Sequence, residues 1–114
     1  MFKDWQVDPR VTHKYRAVRV EEDGEHFSSK LEHRFKQYLD LLVKSGEVIF
    51  YLTQIPVRLP GGTKYVVDFQ VFYANGAVRF IDTKGIETDS FKIKKREVEA
   101  IYPFTIDIVK KGDF

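Results

Sequence analysis

Two apolar runs joined by Ala74-Asn75-Gly76 constrain the fold of this chain more than any other feature. The runs cover residues 65–73 and 77–81, and their composition and alternation are typical of neighbouring strands. Asp68 interrupts the first run, although an aspartate in a strand interior is costly unless it has a partner. The second run ends at Asp82-Thr83-Lys84, which predicts an acid and a base on one face of a strand end.

The type of loop decides which residues of the two strands face each other. A two-residue Asn-Gly loop would set Asp68 opposite Thr83 and turn the two aspartates to opposite faces. A three-residue loop, with Gly76 in the left-handed conformation, would set Asp68 opposite Asp82. Opposed carboxylates repel each other, and a divalent cation between them would offset the repulsion. A cross-strand lysine or arginine is the alternative partner for Asp68. A metal site therefore requires the three-residue loop.

Two segments have helical periodicity. Ser29-Lys30-Leu31-Glu32 fits a capping box and predicts a helix over residues 29–44, ending at Ser45-Gly46. Its predicted buried residues are Leu31, Phe35, Tyr38, Leu39 and Leu42. A second helix is predicted over residues 89–102, with Thr88, Asp89 or Ser90 as its N-cap. Its predicted buried residues are Phe91, Val98, Ile101 and Tyr102, with Lys92, Lys94, Lys95, Arg96 and Glu99 outside.

The remaining elements complete the order helix, three strands, helix, strand. A first strand is predicted over residues 47–59, with a bend at Pro56, and the last strand follows Pro103. Residues 1–27 form a basic arm in which Asp23-Gly24 favours a small hairpin. The last strand should lie parallel to a neighbour, because a strand, helix and strand in one sheet need a crossover. We therefore expect an α/β protein whose mixed sheet is covered by both helices.

Composition limits the class of protein. With 114 residues, 43% of them hydrophobic and 32% charged, the chain fits a single globular domain over residues 1–114. No apolar run approaches the roughly 20 residues that span a bilayer, and the start lacks an apolar signal region, so we expect a cytoplasmic protein without a membrane partner. The absence of cysteine leaves oxygen ligands and histidines for any metal. A net charge of +2 does not by itself predict nucleic-acid binding.

Three acids and a lysine at these positions resemble the catalytic set of the PD-(D/E)XK nuclease superfamily. Glu32 lies on the first helix, Asp68 on the second strand, and Asp82-x-Lys84 on the third. The superfamily has a restriction-endonuclease-like αβββαβ core, which would cover residues 28–110 here. The run from Asp23 to Glu32 resembles small phage-encoded proteins related to Holliday junction resolvases. Val67 stands where the superfamily has proline, and Asp82 replaces the more common glutamate.

The resemblance implies a Mg²⁺-dependent DNA endonuclease, with Mn²⁺ as a substitute ion. Asp68, Asp82, the carbonyl of Thr83 and Glu32 would hold metal, and Lys84 would orient the attacking water. Gln54, on the strand before, is a further candidate for the site, against an ordinary polar strand residue. The implied substrate is branched double-stranded DNA at a four-way junction, which two symmetric active sites of a homodimer would cut.

Basic residues flank the inferred site and favour contacts with phosphates. They are His13, Lys14, Arg16 and Arg19 in the arm and Lys92, Lys94, Lys95 and Arg96 in the second helix. The sequence contains no evident base-reading helix or aromatic platform, so we expect recognition of DNA shape. His26 and His33 lack ligand spacing and are expected at the surface. The alternatives are a nuclease acting on flaps, single strands, or restriction or transposition targets, and a non-catalytic DNA-binding or phage structural protein retaining the fold.

Overall fold

The computed structural model describes the backbone of residues 23–114 and the side chains from Ser29 onward. It contains two α-helices, four strands and one short 3-10 helix. Their bounds are α1 Asp23–Ser45, β1 Val48–Arg58, the 3-10 helix Pro60–Gly62, β2 Lys64–Tyr73, β3 Val78–Thr83, α2 Asp89–Ile101 and β4 Ile106–Val109. No helix in this part of the chain is long and apolar enough to cross a membrane.

The four strands form one mixed sheet in the order β1-β2-β3-β4. β2 is antiparallel to both of its neighbours, β1 and β3. β4 runs parallel to β3, with Phe80 opposite Ile106 and Thr83 opposite Val109. Parallel neighbours need a crossover connection, and α2 lies within it. The α/β class, the element order over the described residues and the parallel last strand are as the sequence predicts.

Helix α1 begins earlier than the sequence predicts. Its first residue is Asp23, so the capping box at Ser29 and Glu32 is wrong, and so is the hairpin turn at Asp23-Gly24. Both motifs are short-range preferences of about 1 kcal/mol, which tertiary context routinely overrides. The remainder of the arm and of the predicted hairpin, residues 1–22, lies outside the described part of the chain.

The predicted end of α1 is confirmed. Gly46, at a φ of 88°, donates its amide to the carbonyl of Val43 over 3.1 Å. The amide of Glu47 donates to the carbonyl of Leu42 over 3.0 Å. These two bonds form the Schellman motif, which satisfies carbonyls at the helix end and turns the chain into β1.

Each helix packs against its own part of the sheet. Phe35 and Leu39 of α1 join a cluster with strand residues Val48, Phe69, Val71 and Ile81. Phe91 and Val98 of α2 join a second cluster with Val57, Leu59, Tyr65, Val67 and Ile106. Burial of such side chains supplies most of the stability of the sheet and helices. Consequently the two clusters fix the position of both helices on the sheet.

Three expectations about burial are wrong. Tyr38 is 37% exposed and Ile101 is 49% exposed, although both fit the apolar periodicity. Ile101 is the last residue of α2, where the apolar stripe leaves the sheet. Glu99 does not point outward, since its carboxylate accepts a hydrogen bond from the amide of Ile106 over 2.8 Å and pairs with Lys95 over 3.0 Å.

The ends of α2 and the course of β1 complete the fold. Thr88 is the N-cap of α2, and its hydroxyl accepts from the amide of Phe91 over 3.1 Å. In β1, Pro56 stays opposite Val66 in continuous register, so the pairing is not broken at Pro56. The pairing shifts instead between Val48 and Phe50.

Candidate functional site

The loop between β2 and β3 sets the geometry of the site. The amide of Tyr73 donates to the carbonyl of Ala77 over 2.8 Å, and Gly76 has a φ of 93°. The ladder then runs from Phe72 opposite Val78 to Phe69 opposite Ile81. The three-residue loop is therefore confirmed. The same register, continued one step past the last paired residues, sets Asp68 opposite Asp82, as the sequence predicts for this loop.

At this point the carboxylates take over the bonding between the strands. The amide of Asp68 donates to Oδ1 of Asp82 over 2.8 Å. Thr83 donates its amide to Oδ2 of Asp68 over 3.0 Å and its hydroxyl to the same oxygen over 2.9 Å. Tyr65 donates its hydroxyl to Oδ2 of Asp82. These donors offset part of the repulsion between the two carboxylates. They are backbone amides and hydroxyls of the sheet, and not the cation or the cross-strand lysine or arginine that the sequence suggests as partners.

Asp82 is the more deeply buried of the two acids, with an exposed fraction of 1%. Burial raises the pKa of Asp82, and the hydrogen bond from the Asp68 amide and the charge of Lys84 only partly offset this increase. An opposite charge close to a buried carboxylate favours its ionised form. A cation close to Asp82 would therefore stabilise its ionised carboxylate.

Lys84 is held beside the acids by a strand and a helix. Its amide donates to the carbonyl of Val109 over 3.0 Å, which extends the pairing of β3 with β4. Its Nζ lies 4.5 Å from the ring centroid of Phe91 in α2, within the range of a cation–π contact. The sheet and α2 thus fix both ends of the lysine side chain.

Glu32 reaches the site through Gln54. In the continuous register of β1 and β2, Gln54 lies between Thr53, opposite Phe69, and Ile55, opposite Val67, so it lies opposite Asp68. Nε2 of Gln54 donates to Oε2 of Glu32 over 2.9 Å. Gln54, Asp68 and Asp82 therefore form a row across three strands, and Glu32 of α1 binds the first member of that row.

Gln54 has a strained backbone. Its φ is 55°, and among the described residues no other non-glycine residue has a positive φ. Such a conformation costs of order 1–3 kcal/mol and persists only where the surrounding structure requires it. The strain is located at the residue that links the acid of the helix to the acids of the sheet.

The described residues include no group of three histidine, cysteine or acidic side chains arranged to hold a metal ion. Mg²⁺, however, is usually bound by one or two carboxylates together with waters and substrate phosphates. Asp68 and Asp82 supply two carboxylates from neighbouring strands. The carboxylates of Asp68 and Asp82 therefore fit a Mg²⁺ or Mn²⁺ site whose other ligands would be waters and phosphates. The carbonyl of Thr83 lies on the same strand as Asp82, and Glu32 is linked to the row of acids by its hydrogen bond with Gln54.

The predicted phosphate contacts are placed only in part. On α2, Lys92 and Arg96 are exposed, and Lys94 and Lys95 are half-buried. Lys95 pairs with Glu99, so its charge is partly neutralised. His13, Lys14, Arg16 and Arg19 of the arm lie outside the described residues, as does the side chain of His26. His33 is exposed on α1, and its Nε2 lies 3.4 Å from Nε2 of Gln37.

Two residues with polar side-chain contacts have no place in the assignment made from the sequence. Lys110, just after β4, pairs with Glu87 over 2.7 Å, and this hydrogen bond lowers the pKa of Glu87. From the sequence, Tyr65 is expected only as the first residue of the second strand. A buried tyrosine hydroxyl usually finds a polar partner, but the sequence alone does not identify which one.

Fold and site together define an α/β protein with an acidic site at the open end of a hairpin. The family model described as "Protein of unknown function (DUF1064)" matches residues 12–110. The chain belongs to this family, and the match spans every strand of the sheet. No curated protein and no solved structure matches the chain.

Proposed function

We propose that this chain is a Mg²⁺-dependent endonuclease that hydrolyses phosphodiester bonds in branched DNA, with the four-way junction as its main substrate. One observation carries the proposal: the register of β2 and β3 brings Asp68 and Asp82 into direct contact, with Lys84 following on the same strand. The αβββαβ order and the resemblance of these residues to the PD-(D/E)XK set support it.

The three residues have complementary roles in phosphodiester hydrolysis. Asp68 and Asp82 would hold the ion, which supplies a more acidic bound water and offsets charge on the phosphate. Lys84 would orient the water and stabilise negative charge that develops in the transition state. Its ammonium group is held over Phe91 and acts on the charge of Asp82, which supports this role.

Glu32 would bind a metal-bound water or a second ion. The hydrogen bond from Gln54 holds the Glu32 carboxylate toward the sheet. Gln54 would act by orienting Glu32, and its strained backbone directs the amide to that position. A role for both residues is therefore consistent with their link to the row that contains Asp68 and Asp82.

The DNA backbone would lie along α2. Lys92 and Arg96 are exposed on this helix, and Phe91 of the same helix lies beneath Lys84. Lysine and arginine side chains on one helix suit the phosphate backbone, and contacts of this kind position DNA without reading its bases. Cutting both strands of a symmetric junction would require a homodimer.

Two other functions remain in competition. The first is a nuclease of the same mechanism that acts on flaps, single strands, or restriction or transposition targets. The second, from another class, is a DNA-binding or phage structural protein without catalysis. The exposed cations of α2 suit all of these functions, whereas the opposed acids favour catalysis.

Cleavage of labelled DNA by the full chain tests the proposal. Four-way junctions, flaps, single strands and linear duplex are incubated with Mg²⁺, with Mn²⁺ or with a chelator. We expect metal-dependent cutting of junctions by the wild type and a decrease of more than about 100-fold in Asp82→Asn, since outer-shell changes alone cost 10–100-fold. Asp107→Asn is the matched control, because Asp107 lies on β4 and pairs with Arg79 at the surface.

The possible results separate the competing functions. Equal cutting by the wild type and Asp82→Asn would refute the assigned site. A preference for linear duplex, flaps or single strands would retain the nuclease and refute the junction as its substrate. Binding of DNA without metal-dependent cutting would establish the non-catalytic class.

A further inference from the structure

We propose that Tyr65 is a positioning residue that holds the Asp82 carboxylate in place for the metal ion. The inference rests on the proposed function, because it assigns Asp82 as a metal ligand. Tyr65 is on β2, three residues before Asp68, and its hydroxyl donates to Oδ2 of Asp82. No part of the PD-(D/E)XK resemblance includes this tyrosine.

The ring of Tyr65 is held firmly enough to place its hydroxyl. Tyr65 is 6% exposed and belongs to the apolar cluster under α2. Its ring centroid lies 6.2 Å from that of Phe91. Phe91 also contacts Lys84, because the ring centroid of Phe91 lies 4.5 Å from Nζ of the lysine. One aromatic residue of α2 therefore packs against both side chains that act on Asp82.

The hydroxyl completes the fixation of the carboxylate. Oδ1 of Asp82 accepts from the amide of Asp68 over 2.8 Å, and Oδ2 accepts from Tyr65. With a donor at each oxygen, rotation of the carboxylate about its terminal bond breaks at least one hydrogen bond. Each carboxylate oxygen has a second acceptor site, so both bonds can persist when an ion binds. The arrangement is the kind of outer-shell support that orients metal-ligating carboxylates.

The molecule contains a matched control for this bond. Tyr51 of β1 donates its hydroxyl to Oδ1 of Asp40 on α1 over 2.6 Å. Asp40 is exposed, and this pair lies outside the row of Gln54, Asp68 and Asp82. Tyr51→Phe and Tyr65→Phe therefore each delete one hydroxyl from a tyrosine bonded to an aspartate, and only the second deletion affects the acid site.

Titration of Mn²⁺ into the folded full chain, followed by calorimetry, tests the inference. We expect Tyr65→Phe to bind Mn²⁺ about 10–100-fold more weakly than the wild type, the usual cost of losing an outer-shell partner. Tyr51→Phe should bind as the wild type does. Junction cleavage measured against Mn²⁺ concentration should show a higher half-saturating concentration in Tyr65→Phe, with the wild-type rate recovered at saturation.

A general loss of structure would not give this pattern. If Tyr65→Phe is less stable, the rise in its melting temperature on adding Mn²⁺ is compared with that of Tyr51→Phe, and a smaller rise supports the inference. Mn²⁺ affinity of Tyr65→Phe within about two-fold of Tyr51→Phe would overturn it and leave the proposed function intact. Absence of Mn²⁺ binding by the wild type, or equal binding by Asp82→Asn, would overturn the metal site itself and this inference with it.

Discussion

The two ends of the β2–β3 hairpin are held together by different kinds of bond. At the turn end, backbone groups pair from Tyr73 and Ala77 onward, and Gly76 supplies the conformation that the loop needs. At the open end, the side chains of Asp68 and Asp82 accept hydrogen bonds from amides of the opposite strand. The same pair of strands thus changes from backbone bonding to carboxylate bonding within a few residues.

The difference separates what folding requires from what a site requires. Any strand sequence can form a backbone hydrogen-bond ladder, and the ladder requires no particular side chain. Carboxylate bonding requires acids at opposed positions, where like charges are unfavourable for the sheet. Such a local conflict is expected at functional sites, where stability is given up for chemistry. The comparison therefore supports the proposed site at the open end of the hairpin.

Gly76→Ala would test the turn end and should have the largest effect on stability. The φ of 93° is costly for a residue with a Cβ, and no atom lies within 4 Å of that Cβ, so backbone strain alone determines the result. We expect the free energy of unfolding in urea to fall by about 1–2 kcal/mol. Mn²⁺ affinity should not change, because the loop is remote from the acids.

Gly112→Ala is the control for this strain. Gly112 has a φ of 95° and equally open surroundings, and it follows β4, outside the β2–β3 hairpin. The same backbone strain is therefore introduced away from the turn. A loss of similar size but without any link to the hairpin is expected, and unchanged stability of Gly76→Ala would contradict the assigned role of the turn.

Thr83→Val would test the open end. It removes the hydroxyl that donates to Oδ2 of Asp68 and keeps both the shape of the side chain and the amide bond to the same oxygen. We expect a loss of about 1 kcal/mol in the metal-free protein, the net worth of one hydrogen bond, measured by urea unfolding. Thr53→Val, on half-buried Thr53 of β1, should show no such loss. A Thr83→Val variant as stable as the wild type, or more stable, would show that this hydroxyl does not stabilise the carboxylates of the open end.

Glu99→Gln would test a second acid that accepts a strand amide, and it should have the smallest effect of these substitutions. Like Asp82, Glu99 accepts a hydrogen bond from a strand amide. Burial raises the pKa of Glu99, but the hydrogen bond from the Ile106 amide and the contact with Lys95 outweigh burial, so the pKa of Glu99 is lowered from its ordinary value of 4.5. A lowered pKa stabilises the folded state above the unfolded value, and this stability is lost as pH falls through the folded value. We expect the wild type to exceed Glu99→Gln by about 0.5–1 kcal/mol at pH 7.

The pH profile of unfolding checks this expectation. The advantage of the wild type over Glu99→Gln should shrink as pH falls below 4.5 and vanish once the folded carboxyl is protonated. Glu97→Gln, on exposed Glu97 of the same helix, should show no comparable change. A difference that is independent of pH would show that Glu99 acts through packing and not through its charge.

Local patterns in the sequence were enough for the strands of the hairpin, and they limited its register to two loops. Alternation placed β2 and β3, and the expected metal site favoured the three-residue loop that the structure has. The same kind of pattern failed at the start of α1. The capping motif predicts that the helix begins at Ser29, but the helix begins at Asp23 and continues through Ser29. It also failed for Ile101 and Glu99, whose burial depends on where α2 leaves the sheet.

By itself, the sequence determined the element order, the two registers open to the hairpin and the lysine that follows its acids, since strand period is a local property. The structure has the three-residue loop, which sets Asp68 opposite Asp82. Only the tertiary structure decided which donors hold these acids. Tyr65 reaches Asp82 across 17 positions of the chain, and Gln54 reaches Glu32 across 22. Such contacts arise from the packing of two helices on a twisted sheet, and no periodicity in the sequence specifies them.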